Sequence, residues 1–248
     1  MPSQYHRTVP PHTASSVLVE IVIDDVEGAV VAEREGADRV ELCADLGQGG
    51  TTPSIGMIRQ VLARVARVGV QVMVRPRGGD FVYDEDEVAV MVEDARAIRD
   101  LAASARVRVG IVTGALTAEG AVDEQTVARI VQAAQPVPVT FHKAIDDAAD
   151  LDAAYAGLAR LGVERVLTSG GAPTAAQGAD ALARLAAAPF GPAVLAGGGV
   201  RPHNVGALLA SAPVREVHLR AQSPSLRGDG TLRTDPETVR AAVEAARS

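Results

Sequence analysis

The sequence predicts one α/β domain built as a TIM-type (β/α)8 barrel. Three observations carry that prediction. From about residue 17 onward, eight short β-branched runs alternate with longer segments of helical period rich in Ala, Val, Arg and Glu. Eight strand–helix repeats in about 230 residues is the count and length such a barrel requires. No Gly-x-Gly-x-x-Gly follows the first strand, so the signature of the rival, an open doubly wound sheet, is missing.

Taken in order, the strand candidates are 18–23, 39–43, 70–75, 108–113, 137–142, 165–169, 192–196 and 215–220. A helical segment follows each, over 26–36, 55–67, 84–103, 123–134, 149–161, 174–187, 203–211 and 235–247. Gly36, Gly69 and Gly162 lie where a helix should stop and the chain turn into the next strand. Asp123 and Thr174 suit helix N-caps. Residues 1–16 are polar, carry Pro10-Pro11 and read as a flexible tail ahead of a single barrel over 17–248.

Composition narrows the function classes. The 248 residues are 47% hydrophobic but only 2% aromatic, so the core is aliphatic and no base-stacking platform is expected. A net charge of -7 and the lack of a basic cluster argue against a nucleic-acid partner. No apolar run of about 18 residues is present, so no membrane segment is expected. The first residues lack a signal peptide's apolar stretch, and a cytoplasmic location follows as the expectation. Cys43 is the only cysteine, which excludes an intramolecular disulfide and any multi-cysteine metal cluster. Lys143 is the only lysine.

In such barrels the site lies at the C-terminal ends of the strands. Alternation puts Glu20, Val22 and Asp24 on one side, then Glu41 with Cys43, then Met73 with Arg75 and Arg77. If these sets face the axis, Glu20 and Glu41 meet Arg75 and Arg77 inside the barrel. Such a cluster is either an ion-pair filling or acid–base machinery, since buried charges must be paired. Arg75 and Arg77, with Gly78-Gly79 beside them, suit capture of an anion. His142 is a candidate acid or base with Asp146 to orient it, and Lys143 a candidate Schiff-base amine. The turn Gly197-Gly198-Gly199 and the one ending Ser169-Gly170-Gly171 offer backbone N–H groups to an anion. Cys43, Met73, His142 and His218 are soft-metal donors, without a local ligand spacing.

Several segments together resemble one family. They are EGA at 27–29, GADRVELC at 36–43, GGTTPS at 49–54, MVRPRGGDFVY at 73–83, GALT at 114–117, VTFH at 139–142, RVLTSG at 165–170 and GGGV at 197–200. Read together they are similar to the CutC family of copper homeostasis proteins, over about residues 17 to 220. The resemblance implies a TIM barrel, a cytoplasmic location, a homodimer or higher homo-oligomer, and a role in copper handling with Cys43 as metal ligand. It implies no substrate. Where some members carry a first-strand cysteine this chain has Val22, so two thiolates cannot meet in one subunit. The family's Phe-His-Arg reads Phe141-His142-Lys143, and its His-x-Ser reads His218-Leu219-Arg220.

Three readings therefore stand: a copper-binding protein using Cys43; a barrel enzyme on a small anionic or phosphorylated metabolite; and a partner-binding barrel with structural inner charges. In the second, Arg75, Arg77 and Gly197–Gly199 hold the anion, while Glu20, Glu41 or His142 moves a proton. The fold alone does not choose among them.

Overall fold

A strand buried on both faces needs one set of residues for the helices outside and another for the barrel inside. The chain supplies both. A computed structural model describes residues 17–225 and 230–248, and the tail expected over 1–16 lies outside them. Eight strands close into a parallel barrel: β1 (Leu18–Ile23), β2 (Arg39–Leu42), β3 (Gly69–Met73), β4 (Val109–Thr113), β5 (Val139–Phe141), β6 (Arg165–Thr168), β7 (Ala193–Ala196) and β8 (Glu216–Arg220). Around them lie α1 (Val26–Arg34), α2 (Ile55–Arg64), α3 (Glu85–Ala102), α4 (Glu124–Ala134), α5 (Leu151–Arg160), α6 (Ala179–Ala186), α7 (Val205–Ser211) and α8 (Pro236–Arg247).

Side-chain chemistry explains where the helices begin. Asp25, Ser54, Asp84, Asp123, Asp150 and Asp235 each accept a backbone N–H three residues on. Each such cap is worth about 1 kcal/mol. Asp84 and Glu87 complete a reciprocal capping box at the start of α3. From there Val88, Met91, Val92, Ala95 and Ile98 form one buried stripe of helical spacing.

Two expected punctuation marks are corrected. Thr174 does not cap α6; its hydroxyl accepts the Gln177 N–H in a turn, and the helix starts five residues later, at Ala179 behind Gly178. Gly178 crosses the end of β6 so closely that a Cβ there would lie 1.9 Å from the Ser169 carbonyl oxygen. Gly69 is no helix stop but the first residue of β3, against the Arg39 side chain. The antiparallel pair β9 (Gln222–Pro224) and β10 (Leu232–Thr234) was not expected; three residues each is too short for a periodic signal.

On β1, β2 and β3, Val19, Ile21, Ile23, Val40, Leu42, Val70 and Val72 join the main core beneath the helices. The alternate positions fill the barrel. Such barrels are ordinarily packed with Val, Ile and Leu. Here one apolar inner cluster joins Val22, Cys43, Met73 and Val112, and buried charges occupy the layers below it.

Candidate functional site

The strand register builds the barrel floor. Glu20 lies beside Arg39 on one neighbouring strand and His218 on the other. Arg39 Nε donates to Glu20 Oε2 at 2.7 Å, and Arg39 Nη2 to Glu216 Oε2 at 2.7 Å. Arg165 holds the same Glu216 carboxylate, with Nη2 3.1 Å from Oε1. His218 Nδ1 lies 2.9 Å from Glu20 Oε1. Burial pushes the Glu20 carboxyl up, but the Arg39 charge and the His218 hydrogen bond outweigh it and hold the group at about 2. The expected meeting of Glu20 and Glu41 with Arg75 and Arg77 does not occur. Both arginines follow the last residue of β3, Met73, and sit beyond the strand rather than inside the barrel.

Glu41 stands one layer above this floor. Its Oε2 is 3.8 Å from His218 Nε2 and accepts from the Cys43 thiol at 3.7 Å, while its buried Oε1 has no hydrogen-bond partner. Burial, reinforced by the Glu20 charge and only partly offset by His218, raises its carboxyl to about 7. The Glu41 and Glu20 carboxylates in turn lift His218 above its ordinary value despite its burial.

Above Glu41 opens a pocket of about 690 Å³ at the C-terminal mouth. Glu41, Met73, Arg75, His142, Lys143, Asp146, Ser169 and Arg220 line it. A larger hollow of about 780 Å³ lies at the opposite end, where the strands begin. We assign the site to the mouth, because the hollow's charges are already paired, Arg99 with Asp100 and Arg108 with Glu164.

His142 follows β5 and caps the short 3-10 turn Lys143–Asp147. Its Nδ1 accepts the Ala144 N–H at 3.2 Å, which leaves the ring proton on Nε2. Nε2 is buried and unpartnered. Burial and the nearby Arg75 charge depress the imidazole to about 3, so the ring is neutral near pH 7. Gly114 makes room for it: a Cβ there would lie 2.5 Å from His142 Cε1. Phe81 covers the ring, with centroids 5.0 Å apart.

The two arginines of the β3 loop part company. Arg75 is buried and donates only to carbonyl oxygens: Nη1 to Gln48 at 2.9 Å and Gly50 at 3.1 Å, Nη2 to Gly79 at 2.8 Å. Its Nε has no partner, and no carboxylate pairs with it among the described residues. Arg77 is instead bound by Glu87 and Asp80 and stays outside the pocket lining.

Asp146 does not orient His142. Its carboxylate accepts from Ser169 N at 3.0 Å and Gly171 N at 2.9 Å, and it pairs with Lys143. The chain's own anion thus fills the N–H cradle of the strand-six turn. Lys143 Nζ also donates to Ser169 Oγ at 2.8 Å, so the lysine is tied down as a cation. Gly197–Gly199 do not line the pocket; Gly198 packs against Ser169 and Lys143, and Asn204 bonds the Gly199 carbonyl. Arg220 does line it, with Nε donating to Gln222.

Two metal arrangements follow from the donors. Glu20, Glu41 and His218 bring three ligand atoms within 4.8 Å of one another. Arg39 already neutralises Glu20 there, which works against a second cation. For copper(I), Cys43 is buried, and burial with the adjacent Glu41 charge pushes its thiol well above the ordinary range. Val22 stands in the same inner cluster and supplies no sulfur. One protonated thiol and the Met73 thioether do not make a closed copper(I) site.

The sequence reading missed Arg39, Arg165 and Glu216. For Arg39 and Glu216 the signal was available, because each lies two residues before a candidate site residue, Glu41 and His218.

A model of the CutC family matches residues 17–223. The chain belongs to the CutC family. A Salmonella schwarzengrund CutC family protein is 45% identical over 204 residues, covering 82% of this chain and 79% of its own. A human relative, named copper homeostasis protein cutC homolog, is 42% identical over 211 residues, covering 85% and 75%. The crystal structure of a Streptococcus agalactiae CutC superposes with a TM-score of 0.75 at 28% identity, covering 82% of this chain and 97% of that one. Phosphoribosylanthranilate isomerase from Pyrococcus furiosus shares the barrel alone, at a TM-score of 0.56 and 16% identity, covering 93% and 98%. No helix among the described residues of this CutC chain is long and apolar enough to cross a membrane.

Proposed function

We propose that this CutC-family barrel is an enzyme that binds a small anionic metabolite at its C-terminal mouth and moves a proton on it. One observation carries the reading: Glu41 and His142 line the same pocket, and each holds a buried polar atom, Oε1 and Nε2, that has no partner in the protein. Leaving such groups unpaired costs about 1–3 kcal/mol each, which a ligand that pairs them repays. Arg75 supports an anion, because it is a buried cation lining the pocket whose partners are carbonyl oxygens and the Phe81 ring, with no carboxylate among the described residues. Arg220 adds charge at the rim. The proposal keeps the cytoplasmic location and homo-oligomeric assembly implied by the resemblance; light scattering on the purified protein tests the assembly.

Thermal melts with phosphate, sugar phosphates and dicarboxylates test the reading. A ligand at a hundred times its Kd adds about 2.7 kcal/mol, or roughly 5–10 °C for a chain of this size. The rise should shrink in Arg75→Lys, which keeps the charge and loses the fork, and in Arg220→Gln. Melts unmoved by every anion would sink it.

A second reading rests on one contact set. Cys43 Sγ and Met73 Cε both lie within 4 Å of where a Gly50 Cβ would stand, so the two sulfur side chains share one wall. The human relative is named for copper homeostasis, and copper(I) is the ion that suits sulfur donors. Anaerobic titration against a competing chelator, with Cys43→Ser alongside, decides it. Tight binding lost in the variant supports copper handling through this residue, and binding indifferent to Cys43 removes it.

A further inference from the structure

The mouth holds more than an anion site, because its groups differ sharply in what they are free to do. Lys143 is held by Asp146 and Ser169, so it is not an available amine nucleophile. The Ser169 hydroxyl donates to the Ala172 carbonyl at 2.6 Å, and Ser169 is fully buried. Glu20 is locked by Arg39 and His218, which removes the second free carboxylate that a glycosidase pair needs. What remains unpartnered is one carboxyl oxygen, one neutral N–H and the Nε of the buried Arg75 guanidinium.

We infer that the reaction is an enolisation: Glu41 removes a proton from a carbon next to the carbonyl of an anionic hydroxycarbonyl compound, while the His142 Nε2–H holds the carbonyl oxygen. This rests on the enzyme reading above and names its substrate class. The C–H bond breaks and its proton passes to the Glu41 carboxylate. The bonding pair forms the C=C bond of the enolate, and the carbonyl π pair moves onto oxygen. Glu41 then returns a proton to the same carbon as the oxygen pair re-forms the carbonyl, so no oxidant or reductant is consumed. A neutral imidazole suits the oxygen end, since it donates without first losing a charge, and its Nδ1 is fixed by the Ala144 N–H. A buried carboxyl with one unpartnered oxygen suits the carbon end, where it must both take and give a proton. Arg75, whose charge reaches His142, sits where an anionic group beside that carbonyl would lie.

The test uses dihydroxyacetone phosphate and ribulose 5-phosphate in D2O, with loss of the carbon-bound proton signals followed by NMR. The full chain should exchange these protons well above the buffer rate. Glu41→Gln, purified identically, should abolish the exchange, and His142→Gln should lower it about a hundredfold, the usual cost of one oxyanion donor. Melting curves with the same two compounds separate the two proposals. Binding without exchange overturns the enolisation and leaves the anion reading standing. Neither binding nor exchange for these probes overturns the enolisation together with its anionic substrate class. Exchange that survives Glu41→Gln overturns the assigned role.

Discussion

The floor and the mouth of this barrel use the same residue types to opposite ends. On the floor Glu20, Arg39 and Arg165 are buried and Glu216 partly so, and each charge meets its opposite within hydrogen-bonding distance. At the mouth Glu41, His142 and Arg75 are as deeply buried, yet each keeps an atom without a partner. Burial alone therefore does not distinguish structure from function. What distinguishes them is whether the protein itself completes the pairing.

That comparison breaks first at the floor. Arg39→Met should destabilise the chain by about 3–5 kcal/mol in urea unfolding, because Glu20 and Glu216 lose the cation they share. A loss near zero would mean the floor relaxes or hydrates. A smaller effect is expected at Gly114, where Ala would overlap the His142 ring. Overpacking of this kind costs about 1–3 kcal/mol. The sharper readout is ligand response, since a displaced imidazole should lose the anion-induced rise in melting temperature while the fold persists by circular dichroism.

The pH dependence separates the regions more finely. His142 sits at about 3 in the fold against an ordinary 6.5, so the unfolded chain takes up its proton first and stability falls as pH drops from 6.5 toward 3. Glu41 runs the other way: at about 7 against 4.5, the fold holds the extra proton, and stability falls as pH rises from 4.5 to 7. His142→Gln should flatten the first slope and Glu41→Gln the second, each read from unfolding free energies at several pH values. The smallest effect is expected at Arg77. Its partners are Glu87 and Asp80 outside the pocket, so Arg77→Ala should leave anion affinity by calorimetry unchanged. A loss there would put the anion outside the assigned pocket.

Much of this was legible in the sequence. Periodicity located all eight strands because their outer faces, such as Val19, Ile21 and Ile23, must alternate with inner residues to bury both sides. Arg75, Glu41 and His142 were readable as inner or mouth positions by the same count. What the count could not give was partnership. Arg75 and Arg77 are two residues apart and chemically identical, yet one meets only backbone carbonyls and the other is taken by Glu87, a helical residue whose approach depends on how α3 docks. Likewise Asp146 fills the strand-six turn instead of reaching His142, because the 3-10 turn after β5 swings it toward Ser169. Register and loop path decide such pairings, and local spacing does not encode them.

The most direct measurement is a pair of conservative substitutions made at the two levels and unfolded in urea at pH 7. Glu20→Gln should cost about 3 kcal/mol or more, since it strips a charge from a completed buried network. Glu41→Gln should stay within about 1 kcal/mol of the parent or gain stability, since it replaces a buried carboxyl oxygen that nothing in the protein satisfies. Equal, large losses at both positions would contradict the account, because Glu41 would then belong to the structural network and not to the site.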